Sequence, residues 1–573
     1  MLARWAALLA LALAGCLSAP AHPPAAPAGP HLGDLRATGA RILDEGANRT
    51  FAWSGTLKQG AQVPLATASL LGQFDHTSFK VPVDPSVGTV TVALASPRPS
   101  VVQVRMDDLH LACVARSGRS CTAVAHANRT EWTATVTSLA PQGTPFDLAV
   151  TLSPFPPALA RDPTPAGAFD VHAARDAAGK AIFGGEPTLA VLKDGRVLVA
   201  AGANVVRLEA DGHWTDVSPA LDKATEQTLD PFLVGDPVTG RIYVSQLASC
   251  MRLSWTDDGG GSWTTNPLVC AGPDQHHQKI AVGPGPAPGP LGRMVSVATM
   301  NLASWLATDR VVITHSRSLD GGLTWTQNPA LVDAVAGMEA HAVGNIAASD
   351  DGSLTIIAYL CDGFVDAPYH GVGIGRSTDL GATWAWQRIH TGTGRCEGID
   401  PGLWAVGKSV YAMWEDVSAG TPSEWFASSA DSGATWGAPV RVPTPGLRSF
   451  ALTDAAASAT RVAAAFLATP DTAKGPTQAD GWARWYPYVA VLNLTAPAAG
   501  WTVERLQDDP IQVGPICMDG PMCLDGARNL LDFIDVQFGP DGRLHVAYPD
   551  GCEDGCALPW QSRGAALKVA IER

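Results

Sequence analysis

The side chains best suited to chemistry in this chain are carboxylates and histidines that recur in step with a longer pattern. Glu186, Asp230, His276, His277, Glu339, His341, Glu397, Asp400, Arg448, Asp532 and Asp535 fall at one phase of that pattern, and Asp362, Glu415, Asp416 and Asp550 at a second. Two carboxyl groups facing each other across a pocket can cleave a glycosidic bond, one as acid and the other as base or nucleophile. Such a pair would be drawn from Glu339, Glu397, Asp400 and Asp535, while Tyr548, beside Asp550, is the tyrosine best placed to act as a nucleophile. The same acidic, histidine-bearing set could instead hold a cation such as calcium, or a polyhydroxylated ligand. It could equally be structural, each carboxylate capping backbone amides or pairing with a cation on the neighbouring unit.

Four octets supply the longer pattern. Residues 256–263, 318–325, 377–384 and 429–436 all read S/T-x-D-x-G-x-S/T-W. Average composition would produce one such octet in roughly one chain of this length in a thousand. In each, the aspartate (Asp258, Asp320, Asp379 or Asp431) can accept hydrogen bonds from N–H groups of its own turn. Glycine supplies backbone conformations closed to other residues, and the final tryptophan offers a packing surface. The octet is a self-locking hairpin turn, so these four aspartates are read as structural. On these octets the chain resembles the Asp-box, or BNR-repeat, proteins of the sialidase superfamily.

A four-strand unit can be drawn around each octet. In the fifth unit the strands are 401–406, 409–415, 425–429 and 436–442. Degenerate units flank the clear ones: a first from Glu186 to a decayed octet at 211–214, a sixth from Arg448 through 485–491 to 501–506, and a seventh from 530–535 to 565–571. Four-stranded units repeating at roughly 40–60 residues mean a β-propeller. The count is seven blades, or six, as in sialidases proper, if the sixth or seventh unit is an appendage. The last unit shows three strands, so a strand upstream of Glu186 is expected to complete it and close the ring. In this register the two sets of polar residues lie on the ligand-binding face, and the octet turns lie on the opposite one.

Composition limits the alternatives. Charged residues make up 16% of the chain against a typical value of about 25%, beside 58 glycines, 44 prolines and 18 tryptophans. Such a chain is neither disordered, nor a coiled coil, nor mostly helical, and is expected to be all-β. A net charge of −15 disfavours partners such as nucleic acid or an anionic membrane.

The amino terminus sets the compartment. Arg4 precedes an apolar run over residues 5–14, the length of a signal-peptide core and too short to span a bilayer. Leu13-Ala14-Gly15-Cys16 resembles the lipobox of prokaryotic lipoproteins, which implies removal of residues 1–15 and lipidation of Cys16. Residues 16–31, rich in Ala and Pro, read as a spacer, and any membrane attachment rests on the lipid anchor. The other ten of the 11 cysteines form neighbouring pairs: Cys113 with Cys121, Cys250 with Cys270, Cys361 with Cys396, Cys517 with Cys523, and Cys552 with Cys556. An even number in an exported chain suits disulfides, and no pair has C-x-x-C spacing matched to a second, which disfavours zinc. Cys250 and Cys270 are symmetric about the second unit's octet, and Cys361 and Cys396 about the fourth's. Each pair is therefore expected to face across its hairpin, with α-carbons within about 7 Å.

Residues 32–160 carry no octet but alternate apolar and polar positions, as in Val90, Val92, Leu94 and in Phe146, Leu148, Val150, Leu152. That period predicts a β-sandwich of jelly-roll or immunoglobulin type, with Cys113 and Cys121 pinning a hairpin. Residues 161–168 read as a linker, and 169–573 as the propeller.

The resemblance does not extend to a complete sialidase site. That chemistry needs three arginines on the substrate carboxylate, a tyrosine nucleophile with its glutamate, and a separate acid. Family members carry an arginine in a Phe-Arg-Ile-Pro-like motif, and the corresponding stretch, Phe183 to Pro187, has Glu186 and no arginine. Two functions from different classes remain: a monomeric, lipid-anchored protein binding an extracellular glycan or protein, or a glycoside hydrolase using a carboxylate pair.

Overall fold

Period-two alternation around tight turns builds sheets throughout the chain. The structure, a computed structural model, describes residues 37–573 apart from 46–47, 58–75, 84–86, 99, 106–110, 125–130, 139–143, 155–163, 221–229, 247–250, 270–274, 302–311, 329–338, 363–367, 397–399, 417–421, 519–527 and 554–563. Cys16 and the signal and spacer segments lie outside the described residues.

The described residues are all-β apart from three short 3-10 turns. From Phe169 onward they form seven antiparallel sheets, each built on four strands like the blades of a propeller and, in all but the last, in sequence order. The innermost strands are Thr188–Val191, Phe232–Gly235, Gln275–Gly283, Glu339–Ala348, Gly402–Val406, Ser449–Ala457 and Asp535–Phe538, which number the sheets 1 to 7. Each innermost strand lies against the next, and the seventh lies against the first. Sheet 7 contains two pieces of chain: Phe169–Ala173 pairs with the last strand, Ala566–Glu572. This is the closing strand expected upstream of Glu186. Part of the stretch read as a linker is also ordered, because Gly167 donates to the Arg505 carbonyl (2.7 Å) and Arg505 to that of Pro165 (3.0 Å).

Sheet 5 follows its expected strands with one difference. Its fourth strand is only Val440–Arg441, shorter than 436–442, because Pro439 has no N–H to offer the ladder.

The four octets are the turns the spacing implies. In each, the Asp accepts from the first Ser or Thr hydroxyl and from both the N–H and hydroxyl of the second, as in Asp431 with Ser429 (2.7 Å) and Thr435 (2.8 and 2.6 Å). These turns also hold the ring together. Arg207 of sheet 1 donates to the Gly259 carbonyl in the octet of sheet 2, Arg317 of sheet 3 to Asp379 and Leu380 in that of sheet 4, and Arg376 of sheet 4 to Ser432 in that of sheet 5. Sheet 2 reaches the octet of sheet 3 through the Tyr243 hydroxyl and the Asn266 amide.

Cys361 and Cys396 are joined, with α-carbons 6.2 Å apart. The route differs from expectation. Cys361 ends the second strand of sheet 4, Leu354–Cys361, and Cys396 lies beyond its fourth, so the bridge steps around the intervening strand Tyr369–Ser377. Cys121, Cys517 and Cys552 are also in disulfides, while Cys250, Cys270, Cys523, Cys556 and the Cys113 side chain lie outside the described residues.

The amino-terminal residues form a five-stranded and a four-stranded sheet around one core that includes Phe51, Trp53, Trp132 and Val150. The strands of Cys113 (Leu111–Arg116) and Cys121 (Arg119–Val124) pair into different sheets, so the expected hairpin is replaced by a crossing from one sheet to the other.

Hydrogen bonds from Thr256 and Ser262 hold the Asp258 carboxyl down at about 2, and those from Thr435 and Ser429 do the same for Asp431. Depressed carboxylates stabilise the fold above their unfolded value and lose that contribution as pH falls through the folded one. Asp379→Ala should therefore lower the urea midpoint without changing the denaturant slope, and should reduce the loss of stability between about pH 4 and pH 2. The exposed Asp362→Ala is the control and should leave both unchanged.

Candidate functional site

The sheets converge on an axis, and the approach to it repeats. Just before or within five innermost strands a residue other than glycine adopts left-handed backbone: Glu186 (φ 55°), His277 (51°), Asp400 (56°), Leu452 (57°) and Leu531 (63°). Each such residue costs about 1–2 kcal/mol, so something must hold it. Two positions on, Thr188, Lys279, Asp454 and Phe533 point inward and, with Phe232 and Asn345, line a small axial cavity of ≈ 10 Å³. Sheet 5 places Gly402 at this position, where a Cβ would come 2.5 Å from the Ala455 nitrogen.

A buried charged network fills the axis. His277 sits between two carboxylates, Nδ1 3.3 Å from Asp400 and Nε2 3.5 Å from Asp532. The Lys279 ammonium is 3.0 Å from Asp400 and 4.0 Å from the Phe533 ring centroid. Arg528 forks onto Asp532, with Nη2 2.6 Å from Oδ2. Asp454 accepts from the Asn345 amide (2.6 Å) and the Val536 N–H (3.3 Å), and Asp535 from the Leu189 N–H (2.6 Å). Asp454 and Asp535 are themselves within hydrogen-bonding reach, as are Glu186 and Asp230.

The titrations follow from this packing. Burial opposes charge on His277, but Asp400, Asp532 and Asp230 outweigh it and raise the imidazole to about 10. Burial would raise Asp532, yet Arg528 and His277 bring it down to about 2. Glu186 has no such cation of its own, and burial followed by Asp230 and Asp532 pushes it well above the carboxylate range. Burial, then the Asp454 charge, does the same to Asp535.

Six residues proposed from their phase, Glu186, Asp230, His277, Asp400, Asp532 and Asp535, thus meet in one network. Phase alone did not reveal Lys279, Arg528, Asp454 or Asn345. An available signal was the acidic residue followed by proline at Glu186-Pro187, Asp230-Pro231 and Asp400-Pro401. His276, Glu339 and His341 stand on innermost strands, but their side chains, like the whole of Glu397, lie outside the described residues.

Other candidates fall elsewhere. Arg448 is exposed at the rim, and Arg528 is the arginine at the axis. Tyr548 is fully buried, donates to Gln507 (2.8 Å) and is pushed well above 10 by burial, so it is no available nucleophile. Asp550 accepts from Lys568 (2.5 Å) and the Cys552 N–H. Asp362 is exposed and paired with His370 (2.7 Å). Glu415 and Asp416 are buried at the end of Ser409–Asp416, where His390 bonds Asp416 and packs on the rings of Trp414 and Trp425. Protein cations, Lys279, Arg528 and the raised His277, stand at the centre of the network. Among the described residues no group of three or more His, Cys, Asp or Glu side chains is arranged to hold a metal.

No family model matches the chain, and neither does any curated protein. Solved structures match distantly. A six-bladed β-propeller fucose lectin from Aleuria aurantia is 13% identical with a TM-score of 0.33, over 59% of this chain and 93% of that one. The intramolecular trans-sialidase of Ruminococcus gnavus is 12% identical with a TM-score of 0.33, over 69% and 95%. The α-L-arabinanase of Penicillium chrysogenum is 11% identical with a TM-score of 0.35, over 59% and 99%.

Two outcomes test the network. Lys279→Met leaves Asp400 short of a partner in a buried setting and should cost about 3–5 kcal/mol by urea unfolding, part of which Asp400→Asn in the same chain should restore. A raised histidine stabilises the fold fully below its unfolded value near 6.5 and loses that contribution as pH rises through about 10. His277→Gln should therefore lower the melting temperature at pH 6 and flatten its decline between pH 7 and 10.

Proposed function

We propose that this chain is an exported, lipid-anchored propeller that binds an extracellular glycan or protein and does not turn it over. In this reading residues 1–15 are the signal peptide, Cys16 carries the lipid on the outer face of the cell membrane, 16–31 are the spacer, 32–160 the sandwich, 161–168 the link, and 169–573 a seven-bladed, sialidase-like Asp-box propeller acting as a monomer.

One observation carries the non-catalytic reading: Asp400, Asp454 and Asp535, three of the axial carboxylates, are engaged with the protein itself. Asp535 is bonded to the backbone of sheet 1 and Asp454 to that of sheet 7. Asp400 is paired with Lys279 and His277. The cavity beside them has room for about one water and none for a sugar ring. Hydrolysis needs two carboxyls about 5–10 Å apart with a glycosidic bond between them. The face around the axis offers groups suited to contact instead: exposed Arg448, the exposed Asp362–His370 pair, and half-buried Trp425. Arginine and carboxylates hydrogen-bond sugar hydroxyls or protein polar groups, and indole packs on their apolar faces.

A glycan array probed with the soluble Cys16→Ser chain, followed by incubation with each hit and product analysis, tests the reading. Binding without product is the expected result. Product formation that Glu397→Gln abolishes would establish a glycoside hydrolase instead, and an empty array would turn attention to a protein ligand.

A further inference from the structure

We propose that the contact between Asp454 and Asp535 is a proton-operated latch: one shared proton holds sheet 7 against sheets 6 and 1, and its loss loosens that seam and opens the axial cavity. Sheet 7 is where such a device matters, because among the described sheets of the ring it alone is assembled from two distant pieces of chain. The pairing of Phe169–Ala173 with Ala566–Glu572 inside it is the junction of the ring that chain connectivity does not close.

The geometry concentrates that seam on two carboxyls. Asp454, from the innermost strand of sheet 6, accepts the N–H of Val536 in sheet 7 (3.3 Å). Asp535, from sheet 7, accepts the N–H of Leu189 in sheet 1 (2.6 Å). Both carboxyls are buried and reach each other, so the pair bridges three consecutive sheets. Two carboxylates in contact and out of water cannot both ionise at ordinary cost, so one proton stays between them. With it, the contact is a hydrogen bond; without it, two like charges press the same seam apart.

The surroundings do not replace the proton. Lys279 of sheet 3 is the cation facing Asp454, but its ammonium also serves Asp400 of sheet 5. Glu424 of sheet 5 accepts from the Thr453 hydroxyl (2.6 Å) and is raised to about 8 by burial, so it supplies no cation. Glu186, before the innermost strand of sheet 1, is buried beside Asp230, and within sheet 7 Asp532 is engaged by Arg528 and His277. On the next strand of sheet 7, His545 is bonded to the Arg543 carbonyl and Asp550 to Lys568. Glu415 and Asp416 are buried at the end of the second strand of sheet 5, Asp416 bonded to His390. Arg461 of sheet 6 is committed to Glu572 at the rim (2.7 Å), the seam's other charged tie.

Burial brings Asp454 up to about 6 and, with the Asp454 charge, raises Asp535 well above its usual range. The sign is the reverse of that for an ordinary carboxylate. A group that binds its proton more tightly when folded stabilises the seam fully below the unfolded value near 3.8 and loses that contribution as pH rises through the folded one.

Hydrogen exchange of the full chain at pH 5 and pH 8.5, corrected for the intrinsic rate, reads the latch directly. Amides of 188–191 and 535–538 should lose about tenfold in protection at the higher pH relative to those of sheets 3 and 4. Asp535→Asn keeps an acceptor for Leu189 and offers Asp454 a permanent donor, so it should remove the step. Asp454→Asn serves the same purpose if that variant does not fold. His277→Gln should retain the step, separating the latch from histidine titration. Equal protection at both pH values, or a step that survives Asp535→Asn and Asp454→Asn alike, would overturn the proposal.

Discussion

Everything in the ring depends on how charge is balanced where seven innermost strands meet. Strand starts that converge on an axis bring their side chains into a space with room for about one water, and here those side chains include six carboxyls. Burying unpaired carboxylates is prohibitive, so the arrangement survives through three devices: cations brought in from the protein, backbone N–H donors, and retained protons. His277, Lys279 and Arg528 supply the first, Leu189 and Val536 the second, and the Glu186–Asp230 and Asp454–Asp535 contacts the third. The left-handed backbone at Glu186, His277 and Asp400 is explained by the same requirement, since that turn aims the charged groups at one another.

A second, independent fastening works on the opposite face. The octet turns satisfy their own polar groups locally, which leaves their carbonyls free to accept from the preceding sheet. Arg207, Arg317 and Arg376 use this opening at three seams, and Tyr243 with Asn266 at a fourth. The clamps join sheets 1 to 5. The octets do not extend to sheets 6 and 7, where the axial carboxyls and the Arg461–Glu572 pair provide the ties. Sheets 1 to 5 thus combine neutral carbonyl acceptors with charged ties such as Arg293–Asp236 and Lys279–Asp400, whereas sheets 6 and 7 lack the octet clamps.

This division also decides what could be read from the chain. The octets were legible because each is a local interaction spanning eight residues, and so was the four-strand repeat, whose alternation needs no knowledge of neighbours. The closing strand was legible from arithmetic, since a three-stranded last unit must find a fourth. Phase located Asp400 and His277, which share a position in their units. Lys279 and Asp454 escaped because they lie two residues further on, where apolar residues were expected to face the core. Arg528 escaped because it precedes its strand and reaches the axis through Asp532, four residues away. Tyr548 was chosen by proximity to Asp550 in sequence, and alternation does put both on one face of the strand, but that face is buried. Its hydroxyl meets Gln507 and not an open pocket.

An axis closed by charge has a consequence for recognition. In an open channel, ligand-contacting groups must remain unpaired in the free state and wait for their partner, which costs stability. Here the most strongly charged groups are already satisfied, so the centre acts as a rigid floor and leaves recognition to the rim, where loops can vary without disturbing the balance beneath them. The side chains that remain able to reach solvent, such as Arg448, Asp362 with His370, and Trp425, stand on strand ends that the floor holds in place. The acids that look most catalytic in the sequence are therefore the ones least free to react, because their first task is to let seven sheets share one centre.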